Sequence, residues 1–238
     1  MMSDVKVVIL AGGKGKRLAP HTAILPKPLL PIGEKPILEI VITQLAHQGF
    51  KKIILAVGYQ SSLIETYFGD GKRWGIQISY SREKEPLGTA APISLIEGLE
   101  SPFLVLNSDI LSDINYPALL DFHKANKAFA TIALFRKDLK IDLGVIEAEE
   151  DGIIKNYIEK PVVPYEVSMG IYVFEPRVKE YIIKNEKMDI PDLIKKIIHN
   201  KKKVIGYRHT GLWLDIGRVE DYQEAVEIFN ASPKRFLK

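Results

Sequence analysis

The sequence predicts an α/β fold in which helices cover both faces of a mixed, mostly parallel sheet. Three patterns predict it. Short β-branched apolar runs end at glycine or polar residues, amphipathic segments separate them in the first half, and shorter runs with turn signals fill the second half. Strands that alternate with helical segments favour βαβ units and parallel pairing, so the expected architecture has three layers, α/β/α.

The first half of the chain carries the elements of the parallel sheet. Strands are predicted over residues 5–11, 51–59, 76–83 and 103–110, and helices over 36–49, 61–71 and 89–99. The strand segments are rich in β-branched residues, whereas the helical segments place apolar residues at helical spacing and end near glycine.

The second half changes character after the strand over 103–110. Shorter strands are predicted over 130–137, 143–161 and 167–176, and helices over 192–199 and 219–229. The run Lys201–Lys203 is typical of a solvated turn between a helix and a strand. Because no repeat or linker-like segment is present, residues 1–238 are expected to form a single Rossmann-like domain with a small antiparallel insertion.

Composition narrows the classes of function. Hydrophobic residues make up 46% and charged residues 26% of the chain, as in an ordinary globular protein. A net charge of +3 from 33 basic and 30 acidic residues indicates a mixed surface, which argues against nucleic acid as a partner. The absence of cysteine excludes disulfides and thiolate metal sites and favours a reducing cytoplasm. The apolar run Val7–Ala11 is too short for a signal peptide or membrane span.

The stretch LAGGKGKRLAPHTAILPKPLLPI, residues 10–32, combines glycines with cations directly after the first apolar run. A glycine-rich turn between a strand and a helix can present backbone N–H groups to an anion. Arg17 adds a planar charged fork for phosphate oxygens, and Lys27 adds a point charge in a proline-stiffened turn. The spacing matches neither GxxxxGK[ST] nor GxGxxG, and a structural turn with solvated lysines is the alternative.

Two aspartates end apolar runs. Asp109 ends FLVLNSD and Asp215 ends the run in GLWLDIG. In open α/β sheets ligands gather beyond the carboxyl ends of strands. Two carboxylates beside phosphates suit Mg²⁺, which binds few protein oxygens and leaves other positions to water and substrate. Asp113 and Asp142 are interpreted as capping or surface residues.

Seven motifs together resemble the sugar-1-phosphate nucleotidylyltransferase family. In chain order they are LAGGKGKRL, PKPLLPI, PLGTA, NSD, YIEKP, MGIY and WLDIG, spread between about Val7 and Ala225. The resemblance implies transfer of a nucleoside monophosphate from a nucleoside triphosphate to a sugar-1-phosphate, with release of pyrophosphate and formation of a nucleoside-diphosphate sugar. It is strongest toward mannose-1-phosphate and heptose-1-phosphate guanylyltransferases.

The resemblance also implies roles for individual residues. The implied catalytic residues are Arg17, Lys27, Asp109 and Asp215, of which Asp109 and Asp215 would bind Mg²⁺. The implied nucleotide-binding residues are Leu10, Ala11, Gly12, Gly13, Gly15, Glu83, Leu87, Gly88 and Thr89. The implied sugar-phosphate-binding residues are Gly144, Glu159, Lys160, Ser168 and Gly170. The implied partners are the two substrates, while the oligomeric state, including a homo-oligomer, is left open.

Two departures from the family pattern bear on the substrates. Glu83 stands where thymidylyl- and uridylyl-transferring relatives usually carry glutamine. Because a carboxylate only accepts hydrogen bonds, Glu83 suits the N1–H and N2–H donors of guanine, and GTP is favoured. Ser168 replaces the usual asparagine and is too short for the usual sugar contact. Mannose-1-phosphate remains the default sugar, with a heptose-1-phosphate or another hexose-1-phosphate as rival.

Several alternatives stay open at the level of sequence. They are a thymidylyl- or uridylyltransferase acting on glucose-1-phosphate, a non-catalytic nucleotide-sugar-binding regulatory protein, and a nucleotidylyltransferase for a non-sugar phosphate such as phosphocholine. Retention of Arg17, Lys27, Asp109 and Asp215 argues against the regulatory protein.

Overall fold

The computed structural model describes residues 1–83 and 85–237. Its strands in chain order are β1 (Lys6–Ala11), β2 (Pro31–Ile32), β3 (Lys35–Pro36), β4 (Lys52–Val57), β5 (Gln77–Arg82), β6 (Phe103–Asn107), β7 (Ile110–Ser112), β8 (Ala130–Lys140), β9 (Val145–Ala148), β10 (Ile154–Ile158), β11 (Val162–Phe174), β12 (Val204–His209) and β13 (Trp213–Asp215). The α-helices are α1 (Ile37–His47), α2 (Ser61–Phe68), α3 (Tyr116–Ala125), α4 (Ile190–His199), α5 (Val219–Ala231) and α6 (Pro233–Phe236).

Seven strands form the central sheet in the order β12-β8-β11-β6-β1-β4-β5. All neighbouring pairs are parallel except those of β11, which runs antiparallel to β8 and β6. The two-stranded hairpin of β9 and β10 lies between β8 and β11 in the sequence. The predicted mixed sheet with an antiparallel insertion is therefore confirmed.

Both faces of the sheet are covered, as the three-layer prediction requires. Alternate residues of a strand face opposite sides, so Val7 and Ile9 pack with α1, α2 and α3 on one face. Val8 packs on the other face with the 3₁₀ segment Ala91–Leu95 and with α4. A smaller core cluster joins α5 and α6 to the loops after β1. None of the described helices combines the length and apolarity needed to span a membrane.

Two local predictions fail for identifiable reasons. The helix predicted over 89–99 is only the short 3₁₀ helix Ala91–Leu95, because the backbone turns extended at Ile96 and Gly98 adopts a positive φ. Helix α3 was not predicted. Its start does carry a sequence signal, because Asn115 is an N-cap residue whose side chain accepts from Ala118 N–H. The lysine run does form the turn between α4 and β12.

Candidate active site

A cavity of about 710 Å³ opens beyond the carboxyl ends of β1, β4 and β6. It is lined by most of the residues predicted to bind nucleotide, namely Leu10, Gly12, Gly13, Gly15, Glu83, Gly88 and Thr89. Three of the four predicted catalytic residues, Arg17, Lys27 and Asp109, also line it. Parallel strands end at one edge of a sheet, so residues far apart in the chain meet there.

The glycine-rich loop closes tightly over Lys27. Gly15 has a φ of +61°, and a Cβ on it would lie 3.0 Å from the Cβ of Lys27. The Thr22 hydroxyl donates to the Gly15 carbonyl over 3.0 Å and holds the loop in this shape. Glycine at position 15 therefore permits both the left-handed turn and the approach of Lys27.

Lys27 and Asp109 form an ion pair at the centre of the site. Their side chains are only 11% and 20% exposed. The ammonium of Lys27 contacts Oδ2 of Asp109, whereas Oδ1 is buried and finds no hydrogen-bond partner among the described residues. An unpaired buried carboxylate oxygen is costly, so this atom is available to a cation or a donor that arrives with a ligand.

Asp215 is brought beside Asp109 by the short antiparallel pair of β7 and β13. Asp215 pairs with Ile110, and Ile216 N–H donates to the Asp109 carbonyl over 3.0 Å. Oδ2 of Asp215 and Nη1 of Arg17 lie 3.7 and 3.6 Å from the point where a Cβ on Gly217 would stand. Desolvation, followed by the neighbouring Asp109 carboxylate, raises the pKa of Asp215, while Lys27 and Arg17 oppose that rise.

Glu83 faces the glycine-rich loop from the end of β5. Its Oε1 would lie 2.6 Å from a Cβ on Gly58, and it would also clash with a Cβ on Gly12. Its Oε2 accepts from Leu87 N–H over 3.0 Å. Burial raises the pKa of Glu83, and the hydrogen bond from Leu87 offsets part of the rise. Glu83, predicted to bind the nucleotide, is therefore partly buried and lines the cavity.

Two predicted nucleotide-binding residues do not line the cavity. Ala11 is 1% exposed and faces the core with Val7 and Ile9, because of the alternation along β1. Leu87 is not among the lining residues, and its N–H donates to Oε2 of Glu83. Asp215 is likewise not a lining residue, although Gly217 beside it is.

None of the five predicted sugar-phosphate residues lines the cavity. Gly170 comes nearest, since a Cβ on it would lie 2.5 Å from Nδ2 of Asn107, which does line the cavity. Ser168 bonds the Tyr172 hydroxyl over 2.9 Å at the bulge of β11. The remaining three, Gly144, Glu159 and Lys160, lie on or beside the exposed β9–β10 hairpin.

The interpretation of Asp113 as a capping or surface residue is wrong. It accepts from Leu212 N–H over 2.7 Å and pairs with His209 and with Arg235 of α6. Burial alone raises the pKa of Asp113, but the Leu212 and Arg235 hydrogen bonds outweigh burial and lower it. Asp113 therefore anchors the strand that leads to Asp215. Asp142 is exposed, as expected.

Sequence reasoning missed several lining residues. They are Ala56, Gly58, Tyr59, Glu85, Pro86, Pro92, Asn107 and Ser108. Most of these lie in the last residues of a predicted strand or within a quoted motif, so strand ends and motifs could have indicated them. Among the described residues no group of three or more His, Asp or Glu side chains is arranged to hold a metal ion.

The chain belongs to the nucleotidyl transferase family, whose profile matches residues 6–231. The fold, the cavity at the strand ends and the cations of the glycine-rich loop agree with that membership. The resemblance drawn from the seven motifs is thereby confirmed at the level of the family.

Curated relatives carry more than one specificity. A mannose-1-phosphate guanylyltransferase catalytic subunit beta of Drosophila pseudoobscura pseudoobscura is 34% identical over 97% of this chain and 64% of its own length. A UTP–glucose-1-phosphate uridylyltransferase of Synechocystis is also 34% identical, over 93% and 62%. A mannose-1-phosphate guanyltransferase of Candida albicans is 36% identical, over 92% and 62%. The chain thus spans somewhat less than two thirds of these relatives.

Solved structures share the fold. A protein of Bacillus anthracis, solved with sucrose, superposes with a TM-score of 0.76 at 23% identity over 94% of both chains. HddC from Yersinia pseudotuberculosis superposes with a TM-score of 0.71 at 26% identity, covering 94% of this chain and 99% of HddC.

Proposed function

We propose that this chain transfers the nucleoside monophosphate of a nucleoside triphosphate, GTP by preference, to a sugar-1-phosphate. One observation carries the proposal. The glycine-rich loop, the largely buried Lys27–Asp109 pair and Arg17 line one cavity beyond the strand ends, and Asp215 lies next to Gly217 of the same lining. Family membership and the names of the curated relatives support the same reaction class.

The reaction joins two anions. A sugar-phosphate oxygen attacks the α-phosphorus, a new P–O bond forms, and the bond from the α-phosphorus to the pyrophosphate oxygen breaks. The nucleophile is already ionised at neutral pH, so the chain must position the two anions and neutralise their charge rather than remove a proton. Arg17 would bind the triphosphate, and Lys27 would contact the α-phosphate, where charge develops. Lys160 would bind the sugar phosphate.

A magnesium ion belongs to the proposal. The unpaired Oδ1 of Asp109 and the carboxylate of Asp215 are oxygen donors of the kind that Mg²⁺ prefers. When bound, the ion would neutralise phosphate charge and orient the triphosphate. Two protein carboxylates would leave its other positions to water and phosphate oxygens.

Glu83 supports the preference for GTP. Its Oε2 is engaged by Leu87 N–H, and its Oε1 lies against the glycines that line the cavity. An ionised carboxylate in this position can accept from adjacent guanine N–H groups and offers no donor to a pyrimidine carbonyl. Mannose-1-phosphate is the first sugar to test, because mannose-1-phosphate guanylyltransferases are among the relatives.

The test is a matrix of four nucleoside triphosphates against mannose-1-phosphate, heptose-1-phosphate and glucose-1-phosphate. Pyrophosphate release is measured in each combination with and without Mg²⁺. The proposal expects release only when both substrates are present and most of all with GTP. Tight binding of a nucleotide sugar without turnover across the whole panel would instead indicate a regulatory protein.

A uridylyltransferase acting on glucose-1-phosphate is the second candidate. The Synechocystis uridylyltransferase is as similar to this chain as the Drosophila guanylyltransferase, at 34% identity. Strong use of UTP or dTTP with indifference to GTP would establish this candidate and refute the role given to Glu83.

A further inference from the structure

The turn Leu87–Ala90 is tied to the start of α4, almost a hundred residues away in the sequence, by a closed set of hydrogen bonds. Met188 N–H donates to the Leu87 carbonyl over 2.9 Å, and Ala90 N–H donates to the Met188 carbonyl over 2.9 Å. Asp189 adds side-chain contacts, since its Oδ1 accepts from the N–H and the hydroxyl of Thr89 over 3.0 and 3.3 Å.

Asp189 is used in an unusual way for its position. It is the N-cap residue of α4, where an aspartate side chain ordinarily accepts from the N–H groups of its own helix. Here the side chain makes no capping hydrogen bond and turns to Thr89 instead. The Thr89 hydroxyl accepts from Ile190 N–H over 2.9 Å and so caps α4 in return. The two segments therefore hold each other.

The contact between the segments is close enough to demand glycine. Gly88 has a φ of +85°, and a Cβ on it would lie 2.6 Å from the Met188 carbonyl oxygen and 2.7 Å from Oδ1 of Asp189. Neither atom can withdraw without breaking one of the hydrogen bonds just described. Gly88 and Thr89 line the cavity, so the position of α4 fixes the shape of its wall.

We call the hydrogen bonds that join the turn Leu87–Ala90 to the start of α4 the clamp. This clamp extends to Glu83. Leu87 N–H donates to Oε2 of Glu83, while the Leu87 carbonyl accepts from Met188 N–H. One peptide segment thus connects the carboxylate that faces the glycine-rich loop with the start of α4. A shift of the turn would release Glu83 from its hydrogen bond and from its orientation.

We propose that Asp189 is a positioning residue for nucleotide selectivity, holding the turn Leu87–Ala90 and, through it, Glu83. The proposal rests on the proposed function for its kinetic consequence. Asp189 itself lies outside the residues that line the cavity. Its effect should fall on the nucleotide and on discrimination between bases, and spare the sugar phosphate.

The kinetic experiment compares Asp189→Ala, Asp189→Asn and a matched control, Asp192→Asn, which removes another acid from the first turn of the same helix. Loss of the two side-chain hydrogen bonds in Asp189→Ala is expected to raise KM for GTP about tenfold, with kcat changed less than about threefold. The ratio of kcat/KM for GTP to that for UTP should fall, and KM for the sugar phosphate should not change. Asp189→Asn should recover most of the loss because its Oδ1 still accepts from Thr89 N–H, and Asp192→Asn should match wild type.

Hydrogen–deuterium exchange of the amides of Thr89 and Ala90 tests the clamp without relying on catalysis. Asp189→Ala should accelerate their exchange in the ligand-free protein, and Asp192→Asn should not. If Asp189→Ala proves too unstable, Asp189→Ser gives the same reading, because serine is a favourable N-cap residue for α4 but has no carboxylate to accept from Thr89.

The outcomes separate the two proposals. Accelerated exchange in a chain that releases no pyrophosphate with any substrate pair refutes the proposed function but leaves the clamp. Unchanged exchange, or a fall in kcat with unaltered selectivity between GTP and UTP, overturns the role of Asp189 whatever the activity of the wild type.

Discussion

Lys27 and Asp109 lie at the ends of the parallel part of the sheet with 11% and 20% of their side chains exposed, whereas Glu159 and Lys160 lie beside a two-stranded hairpin in which Ile154 and Tyr157 are 62% and 61% exposed. The first region is supported by core on both faces of the sheet. A hairpin of two strands has little stability by itself. Lys27 and Asp109 are therefore held in place by the sheet, while Glu159 and Lys160, proposed for the sugar phosphate, lie beside an element with little stability of its own.

The largest expected effect is at the cavity beyond the strand ends. Arg17→Ala should lower kcat about 10²- to 10³-fold, because it removes a cation that lines the cavity and is proposed to face the developing phosphate charge. Steady-state pyrophosphate release checks this. Arg177→Ala, which removes an exposed arginine paired with Glu180, is the control and should retain full activity. Normal turnover by Arg17→Ala would show that the cavity is not where the phosphates react.

The next effect tests whether the exposed region serves only the sugar. Lys160→Met should raise KM for the sugar phosphate about 10- to 100-fold, as expected for a lost charged hydrogen bond, with KM for GTP unchanged. Lys155→Met on β10, whose ammonium pairs with Glu149, is the matched control. An equal rise in KM for the sugar phosphate in both variants, or a change in KM for GTP, would contradict the division of substrates between the two regions.

Glu83→Gln is expected to have a moderate effect on selectivity and a small one on stability. The amide adds a donor, so the preference should move about tenfold toward UTP or dTTP in a competition assay. Burial raises the pKa of Glu83 above its ordinary value of 4.5, so the ionised form costs stability above that pH. Glu83→Gln should therefore raise Tm at pH 7, and this gain should vanish below about pH 4. A gain in Tm independent of pH would contradict the conclusion that burial raises the pKa of Glu83.

The smallest effect is expected at the junction of the two regions. Ser168→Ala removes the hydroxyl that donates to Tyr172, a residue that is 8% exposed, and should cost about 1 kcal/mol in urea unfolding. KM for the sugar phosphate should change less than about threefold, because serine is too short for the asparagine contact implied by the family pattern. A large rise in that KM would make Ser168 a direct sugar contact.

Much of the fold could be predicted because its signals are local. Strands β1, β4 and β6 are continuous apolar β-branched runs, and α1 carries a helical pattern that ends near glycine. The helix expected over 89–99 could not be excluded locally, since the turn Leu87–Ala90 before the short 3₁₀ helix is held by hydrogen bonds to Met188, in a distant segment. Asp113 was misjudged for the same reason, because its partners, His209 and Arg235, lie almost a hundred residues away or further.

The family and most strands of the central sheet could be predicted from the sequence alone. The same is true of the expected phosphate contacts, because glycines, Arg17 and Lys27 follow an apolar run within one short stretch. How these residues are arranged depends on the tertiary structure. The pairing of β7 with β13 sets Asp215 beside Asp109, and the start of α4 holds the turn behind Glu83. Composition and spacing are properties of neighbours in the chain, whereas the charge pairing and burial of a site depend on segments that meet only when the sheet is assembled.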